Sequence, residues 1–197
     1  NMDIMEEVIM NTAKTLELLQ SEAAYTRMCE LYGAEKAEEN IRRYGELVKK
    51  FRENFGENDI LMFSSPGRTE ISGNHTDHNH GKELAGSINL DCGGIAARNE
   101  SSRVNIISET FQQKFTIDLN DLQPSDKKGG TVDLVKGLLK GFQESGYEVG
   151  GFDAYITSNV ISSAGVSSSA SFEMLLCSML NRFFNDGRMD TVAYAHI

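Results

Sequence analysis

No run of lysine or arginine occurs anywhere in this sequence, and its 19 basic residues are outnumbered by 29 acidic ones. Nucleic-acid affinity comes from Lys and Arg neutralising phosphates, so a net charge of −10 argues against that class of partner. Cysteine is scarce too. Cys29, Cys92 and Cys177 are odd in number and widely spaced, which suits neither a disulfide framework nor a zinc pattern and leaves them as reduced packing residues. No apolar stretch approaches the roughly 20 residues that a membrane-spanning helix needs, so no membrane partner is expected. Glu6 and Glu7 stand where a secretory leader would carry positive charge, and together with the free thiols this points to the cytoplasm. Internal repeats and low-complexity tracts are also missing, so the chain is parsed by periodicity alone.

What is present is enough for one core. A chain of 197 residues, 40% hydrophobic and 24% charged, has the balance of a globular protein that binds a small polar ligand. Ile41, Tyr44, Leu47, Val48, Phe51 and Phe55 recur at spacings of three and four, an amphipathic helix that Gly56 can end. A short apolar run at 60–63 breaks at Ser64, Ser65 and Pro66, as a buried strand feeding a loop would. Strand-like stretches follow at 94–98, 103–108 and 114–119. Thr131 offers an N-cap to a helix whose apolar face is Val132, Val135, Leu138, Leu139 and Phe142. Phe152, Ala154 and Ile156 alternate as one face of a strand, and Phe172, Leu175, Leu176, Met179, Leu180 and Phe183 form the seam of a long helix. Strands gathered into a sheet with helices on it, without regular alternation, predict an α+β fold with a mixed, mostly antiparallel sheet.

Two loops carry the chemistry. Ser163, Ala164, Gly165, Val166, Ser167, Ser168 and Ser169, followed by Ala170 and Ser171, join a strand to a helix. Small side chains there let backbone N–H groups approach an anion at a helix N-terminus, and a serine hydroxyl can ligate magnesium. No Gly-Lys-Ser or Gly-Lys-Thr follows, so this is not a Walker loop, and composition alone leaves a plain serine-capped helix start standing beside the phosphate reading. The second loop runs from Pro66 and Gly67 through Arg68 to Gly73, Asn74, His75, Thr76, Asp77, His78, Asn79, His80 and Gly81. Its donors and acceptors match the mixed needs of sugar hydroxyls, and Arg68 can neutralise charge on a moving phosphoryl group. Metal binding through His75, Asp77, His78 and His80 and a plain solvated turn are the rival readings.

In order and separation these two segments resemble galactokinases of the GHMP kinase superfamily. That family carries Pro-Gly-Arg-Val-Asn-Leu-Ile-Gly-Glu-His-Thr-Asp-Tyr near its start and Gly-x-Gly-Leu-Ser-Ser-Ser-Ala later. The counterparts here are Pro66 through His78 and Ser163 through Ala170. The resemblance implies a GHMP-kinase N-terminal domain, similar to the ribosomal protein S5 domain 2-like fold, over 59–197, with 1–58 as a helical extension. It also implies transfer of the γ-phosphoryl of ATP to the C1 hydroxyl of galactose, with Mg2+. Arg68 would stabilise the transferring group; Asn74, His75, Thr76 and Asp77 would contact the sugar. Ser163, Ala164, Gly165, Val166, Ser167, Ser168 and Ser169 would wrap the nucleotide phosphates, with Ser169 the magnesium ligand.

Departures from the family pattern qualify the substrate. Asn74 stands where the family has Glu, which removes a charge from the contact to the outer hydroxymethyl group and admits a related sugar. His78 replaces Tyr, Thr69 and Glu70 replace Val and Asn, and Ile161 and Ser163 replace the usual Pro and first Gly. Gly187-Arg188-Met189-Asp190 mimics the family's catalytic Gly-x-Met-Asp segment, but lies a single helix after the serine loop where the family interposes another. Asp190 with Thr191 reads instead as the start of the next helix. The catalytic Asp is therefore expected beyond residue 197, together with a second domain, and this portion is expected to be inactive alone. A sugar- and nucleotide-binding sensor without useful catalysis is the alternative function.

Overall fold

The computed structural model describes residues 10–73, 82–124, 129–160 and 167–197, without the side chains of Thr191 and Ala195. Its elements follow the predicted order. A two-residue strand, β1 (Met10–Asn11), leads into helices α1 (Thr12–Leu18), α2 (Glu22–Tyr32) and α3 (Ala34–Phe55). Then come β2 (Asp59–Ser72), β3 (Leu84–Arg98), β4 (Arg103–Ser108), β5 (Gln113–Asp118), α4 (Thr131–Glu144), β6 (Phe152–Ser158), α5 (Ser168–Phe184) and α6 (Thr191–Ala195).

Local sequence chemistry sets the helix ends. Asn11 and Ser21 cap α1 and α2 through side chains that accept from Lys14 N and Ala24 N. Gly56 closes α3, its N–H reaching Arg52 O at 2.9 Å. The cap of α4 is Gly130 rather than the expected Thr131, which is the first helical residue and makes no capping bond. Glycine is accepted at an N-cap in extended conformation, but it leaves the first turn without a side-chain capping bond. The Ser21 cap gives a test: Ser21→Ala should cost about 1 kcal/mol. In thermal unfolding that is a midpoint lowered by roughly 3 °C.

The strands form one sheet in the order β1-β2-β3-β6-β4-β5, antiparallel except for the parallel pair β4 and β6. That pair is joined through β5 and α4, the long crossover that parallel neighbours require. Alternation of side chains splits the core between the two faces. On one face Cys92, Ala96, Val104, Ile106, Phe152, Ala154 and Ile156 pack with Val135, Leu139 and Phe142 of α4 and Leu175, Leu176, Met179 and Leu180 of α5. On the other, Ile60, Ile95, Ala97 and Tyr155 pack with Met28 and Tyr32 of α2 and Tyr44, Leu47, Val48 and Phe51 of α3.

One expectation about local structure is corrected. The chain does not leave the sheet at Ser64: β2 continues to Ser72, and residues 65–72 pair with residues 84–92 of β3. Polar composition and Pro66 made this segment look like a loop. The ladder needs only backbone groups, and Pro66 sits beside a register shift where a missing N–H is tolerated. Among the described residues no helix is long and apolar enough to cross a membrane.

Candidate functional site

Strand β2 carries the first predicted segment from the core to the site. Its ladder with β3 shifts register between Pro66 and Arg68 and again between Glu70 and Ser72. Such bulges re-aim side chains and gather beside active sites. Gly67 is buried and Arg68 half-buried, opposite Ser87. Arg68 Nη1 is enclosed with no hydrogen-bond partner among the described residues. Leaving a buried guanidinium nitrogen unpaired is costly, and the planar fork of arginine matches carboxylate and phosphate oxygens, so the group is poised for an anion. At the strand exit Gly73 has φ 125°, and a Cβ there would lie 2.7 Å from Glu83 Cα and Lys82 O, so only glycine fits. Asn74, His75, Thr76 and Asp77, with His78 and His80, lie outside the described residues.

The second segment meets the first through α5. Ser171 Oγ donates to Ser65 O at 2.7 Å in a buried bond, pinning the first turn of α5 to β2 three residues before Arg68. Ser167 precedes the helix in a left-handed conformation, φ 60° and ψ 51°, and makes no side-chain capping bond. A non-glycine residue held there is strained by about 1–3 kcal/mol, and such strain gathers at ligand sites. The N–H groups of the first turn are therefore without a serine cap from Ser167. Ser167 and Ser168 are half-buried and Ser169 is exposed. Ser163, Ala164, Gly165 and Val166 lie outside the described residues.

Ser168 and Ser169 open onto a cleft of about 450 Å3, which Ser108, Phe111, Gln113, Thr131, Leu134 and Phe172 complete. Sequence reading missed the lining contributed by β4, the β4–β5 turn, β5 and α4. A signal existed: Phe111 and Leu134 are large apolar residues at exposed positions, 41% and 36% accessible, where a turn and an outer helix face would ordinarily be polar. The decoy segment resolves as expected. Asp190 caps α6, its Oδ1 accepting from Ala193 N at 2.8 Å.

Around Asp91, opposite Pro66 in the ladder, lies a buried charge cluster that the sequence did not announce. Asp91 of β3 is 2% exposed and receives Arg43 Nη1 at 2.6 Å, Ser64 Oγ at 2.6 Å, Tyr32 OH at 2.8 Å and Tyr44 OH at 3.0 Å. Burial, and then the Asp91 charge, raises both phenols above their ordinary range, so each keeps its proton and donates. Burial also pushes the neighbouring Cys92 thiol up to about 12, which keeps it protonated and inert.

Comparison with known proteins places this geometry. Residues 49–98 match the galactokinase galactose-binding signature, and residues 133–197 match the GHMP kinases N terminal domain. A galactokinase of Clostridium tetani is 37% identical over 153 residues, 78% of this chain and 39% of the relative. One from Pyrococcus furiosus is 36% identical over 125 residues, 64% of this chain and 34% of the relative. The chain thus spans well under half the length of these curated relatives. The crystal structure of Lactococcus lactis galactokinase complexed with galactose superposes with a TM-score of 0.69 at 31% identity, covering 77% of this chain and 39% of that one. Mevalonate kinase of Methanococcus jannaschii, at 15% identity and a TM-score of 0.57 over 68% of this chain and 43% of that one, shares the α+β fold alone. Arg68 falls in one matched segment and Ser167, Ser168 and Ser169 in the other, and the chain belongs to the galactokinase family of the GHMP kinases.

Proposed function

We propose that the full-length protein is a galactokinase that transfers the γ-phosphoryl of ATP to the C1 hydroxyl of galactose. The supporting observation is the buried Ser171–Ser65 bond, which holds the serine-loop helix against the strand that presents Arg68. Phosphoryl transfer asks a protein for positioning and charge neutralisation more than for covalent chemistry, and these two elements offer both. In this reading Arg68 lies against the transferring group, and Asn74, His75, Thr76 and Asp77 hold the sugar. The segment from Ser163 to Ser169 receives the nucleotide phosphates. Phe111 and Leu134, which line the same cleft, offer apolar surface for the base.

Magnesium belongs to the same reading. Ser169 offers one exposed hydroxyl at the cleft, and no carboxylate lines it among the described residues. That suits an ion held mainly by nucleotide phosphates and water, as Mg2+ commonly is. Bound there, the ion would offset phosphate charge. We also place the protein in the cytoplasm, in keeping with its buried free thiols, Cys92 and Cys177.

The test is ADP release by the full-length protein across a panel of hexoses. Galactose-dependent release supports the reading, and a preference for another hexose would trace to Asn74. Sugar and nucleotide binding without turnover would replace it with a sensor. Phe111→Ala should raise the KM for ATP about tenfold, the scale of one lost aromatic–base stack, and leave the KM for sugar unchanged. An unaltered ATP KM would take the base out of this cleft.

A further inference from the structure

The cluster around Asp91 does more than join helices to a sheet. Asp91 stands opposite Pro66 in the β2–β3 ladder, so its side chain lies beside the last residues before Arg68. Through Oδ2 it takes the hydroxyl of Ser64, the strand residue four before Arg68. Its main-chain carbonyl accepts from Asn159 N at 2.9 Å, immediately after β6, where the chain turns toward the serine loop. One residue is therefore bonded to the approach of both ligand segments. Its remaining partners come from the N-terminal helices: Tyr32 on α2, and Arg43 and Tyr44 on α3. Those three residues lie outside both segments matched to known families, 49–98 and 133–197. Tyr44 OH also lies 3.3 Å from Phe63 O, the longer of two acceptors for its single proton, in the same stretch of β2.

The fit is built rather than incidental. A carboxylate accepts about four hydrogen bonds, and four side-chain donors converge on this one. Gly93 makes room for them: a Cβ there would lie 2.7 Å from Arg43 Nη2 and 2.9 Å from Tyr44 OH. A buried ion pair is a weak source of net stability, because apolar residues of similar volume often serve as well. What directed bonds supply is fixed geometry.

We propose that Asp91 is a positioning residue for phosphoryl transfer, clamped by Tyr32, Arg43 and Tyr44 so that the strand carrying Arg68 and the exit of β6 toward the serine loop keep one mutual placement. The N-terminal helices are then a working part of the site, acting through Asp91 without touching a ligand. This role rests on the kinase reading above.

The test uses the full-length protein with Tyr32→Phe and Ser64→Ala, each removing one donor to Asp91, and Val48→Ala as control. Val48 is fully buried on the same helix as Arg43 and Tyr44, and is not among the groups bonded to Asp91. Both donor variants should lower kcat about tenfold at saturating substrates, the scale of a lost hydrogen bond to a charged group. In both, backbone amides of 67–73 and Asn159 should exchange with deuterium about tenfold faster, by the same scale of lost restraint, while β4 and β5 stay protected. Val48→Ala should lower the melting temperature and change neither quantity. Donor variants that match Val48→Ala in kcat and in local exchange overturn the proposal. Should Tyr32→Phe not fold, Ser64→Ala decides alone, since Ser64 is exposed and its loss leaves no cavity. A wild-type protein that phosphorylates no sugar would refute the kinase reading by itself, and the exchange measurement would still decide whether Asp91 clamps both segments.

Discussion

Arg68→Ala in the full-length protein is expected to lower kcat by about a thousandfold or more while sugar affinity stays within a few-fold. The basis is the state of the guanidinium. Nη1 is enclosed and lacks a hydrogen-bond partner among the described residues, so the folded chain bears the cost of an unsatisfied donor. An interaction kept open in the free protein and closed only on a developing anion stabilises the transition state more than the ground state, and such interactions raise kcat rather than tighten binding. Arg68→Lys should recover little, because an ammonium cannot span two oxygens as the planar fork does. Steady-state kinetics with ATP and galactose decide the matter: turnover unchanged in Arg68→Ala would remove the residue from the chemistry.

The largest loss of stability is expected from Arg43→Ala. Arg43 and Asp91 are only 13% and 3% exposed at their side chains and stand 2.6 Å apart. Deleting the cation leaves a buried carboxylate with hydroxyl partners alone, a change that costs about 3–5 kcal/mol. For a chain of this size that corresponds to a melting temperature lower by roughly 10 °C. The surface pairs of α3 offer a contrast. Lys36–Glu39 and Lys49–Glu46 are at least half exposed, and breaking either should change stability by no more than about 1 kcal/mol. Replacing both buried charges together, Arg43→Met with Asp91→Leu, should return much of the lost stability without restoring turnover. Calorimetry beside kinetics separates the two effects, and a double variant that regains both would reduce the pair to packing.

Features with a strong local period were readable from the chain alone. Tyr44, Leu47, Val48 and Phe51 mark the buried stripe of α3, and Phe152, Ala154 and Ile156 the inward face of β6, because helix and strand geometry write burial into spacing. The β2–β3 ladder was harder to see. Residues 66–72 are mostly polar and begin at a proline, yet they belong to the ladder, since a hairpin is decided by what the partner strand offers. The Asp91 cluster left no local trace: its partners Tyr32, Arg43, Tyr44 and Ser64 are 27 to 59 residues away along the chain and meet only after the sheet and helices have packed. The cleft wall was missed for a related reason. Phe111 sits in a turn, and its worth to a ligand depends on Ser168 and Ser169 arriving from α5.

The position of β6 bears on how this protein is made. It enters the sheet between β3 and β4, joining the β2–β3 and β4–β5 hairpins, both of which precede it in the chain. Until residues 152–158 clear the ribosome, each nascent hairpin therefore presents an open, bondable edge, the condition in which a polypeptide is most prone to pair with a neighbour. Synthesis that pauses after β5 should yield a sticky intermediate that depends on chaperones, and release of a few dozen further residues should end that dependence.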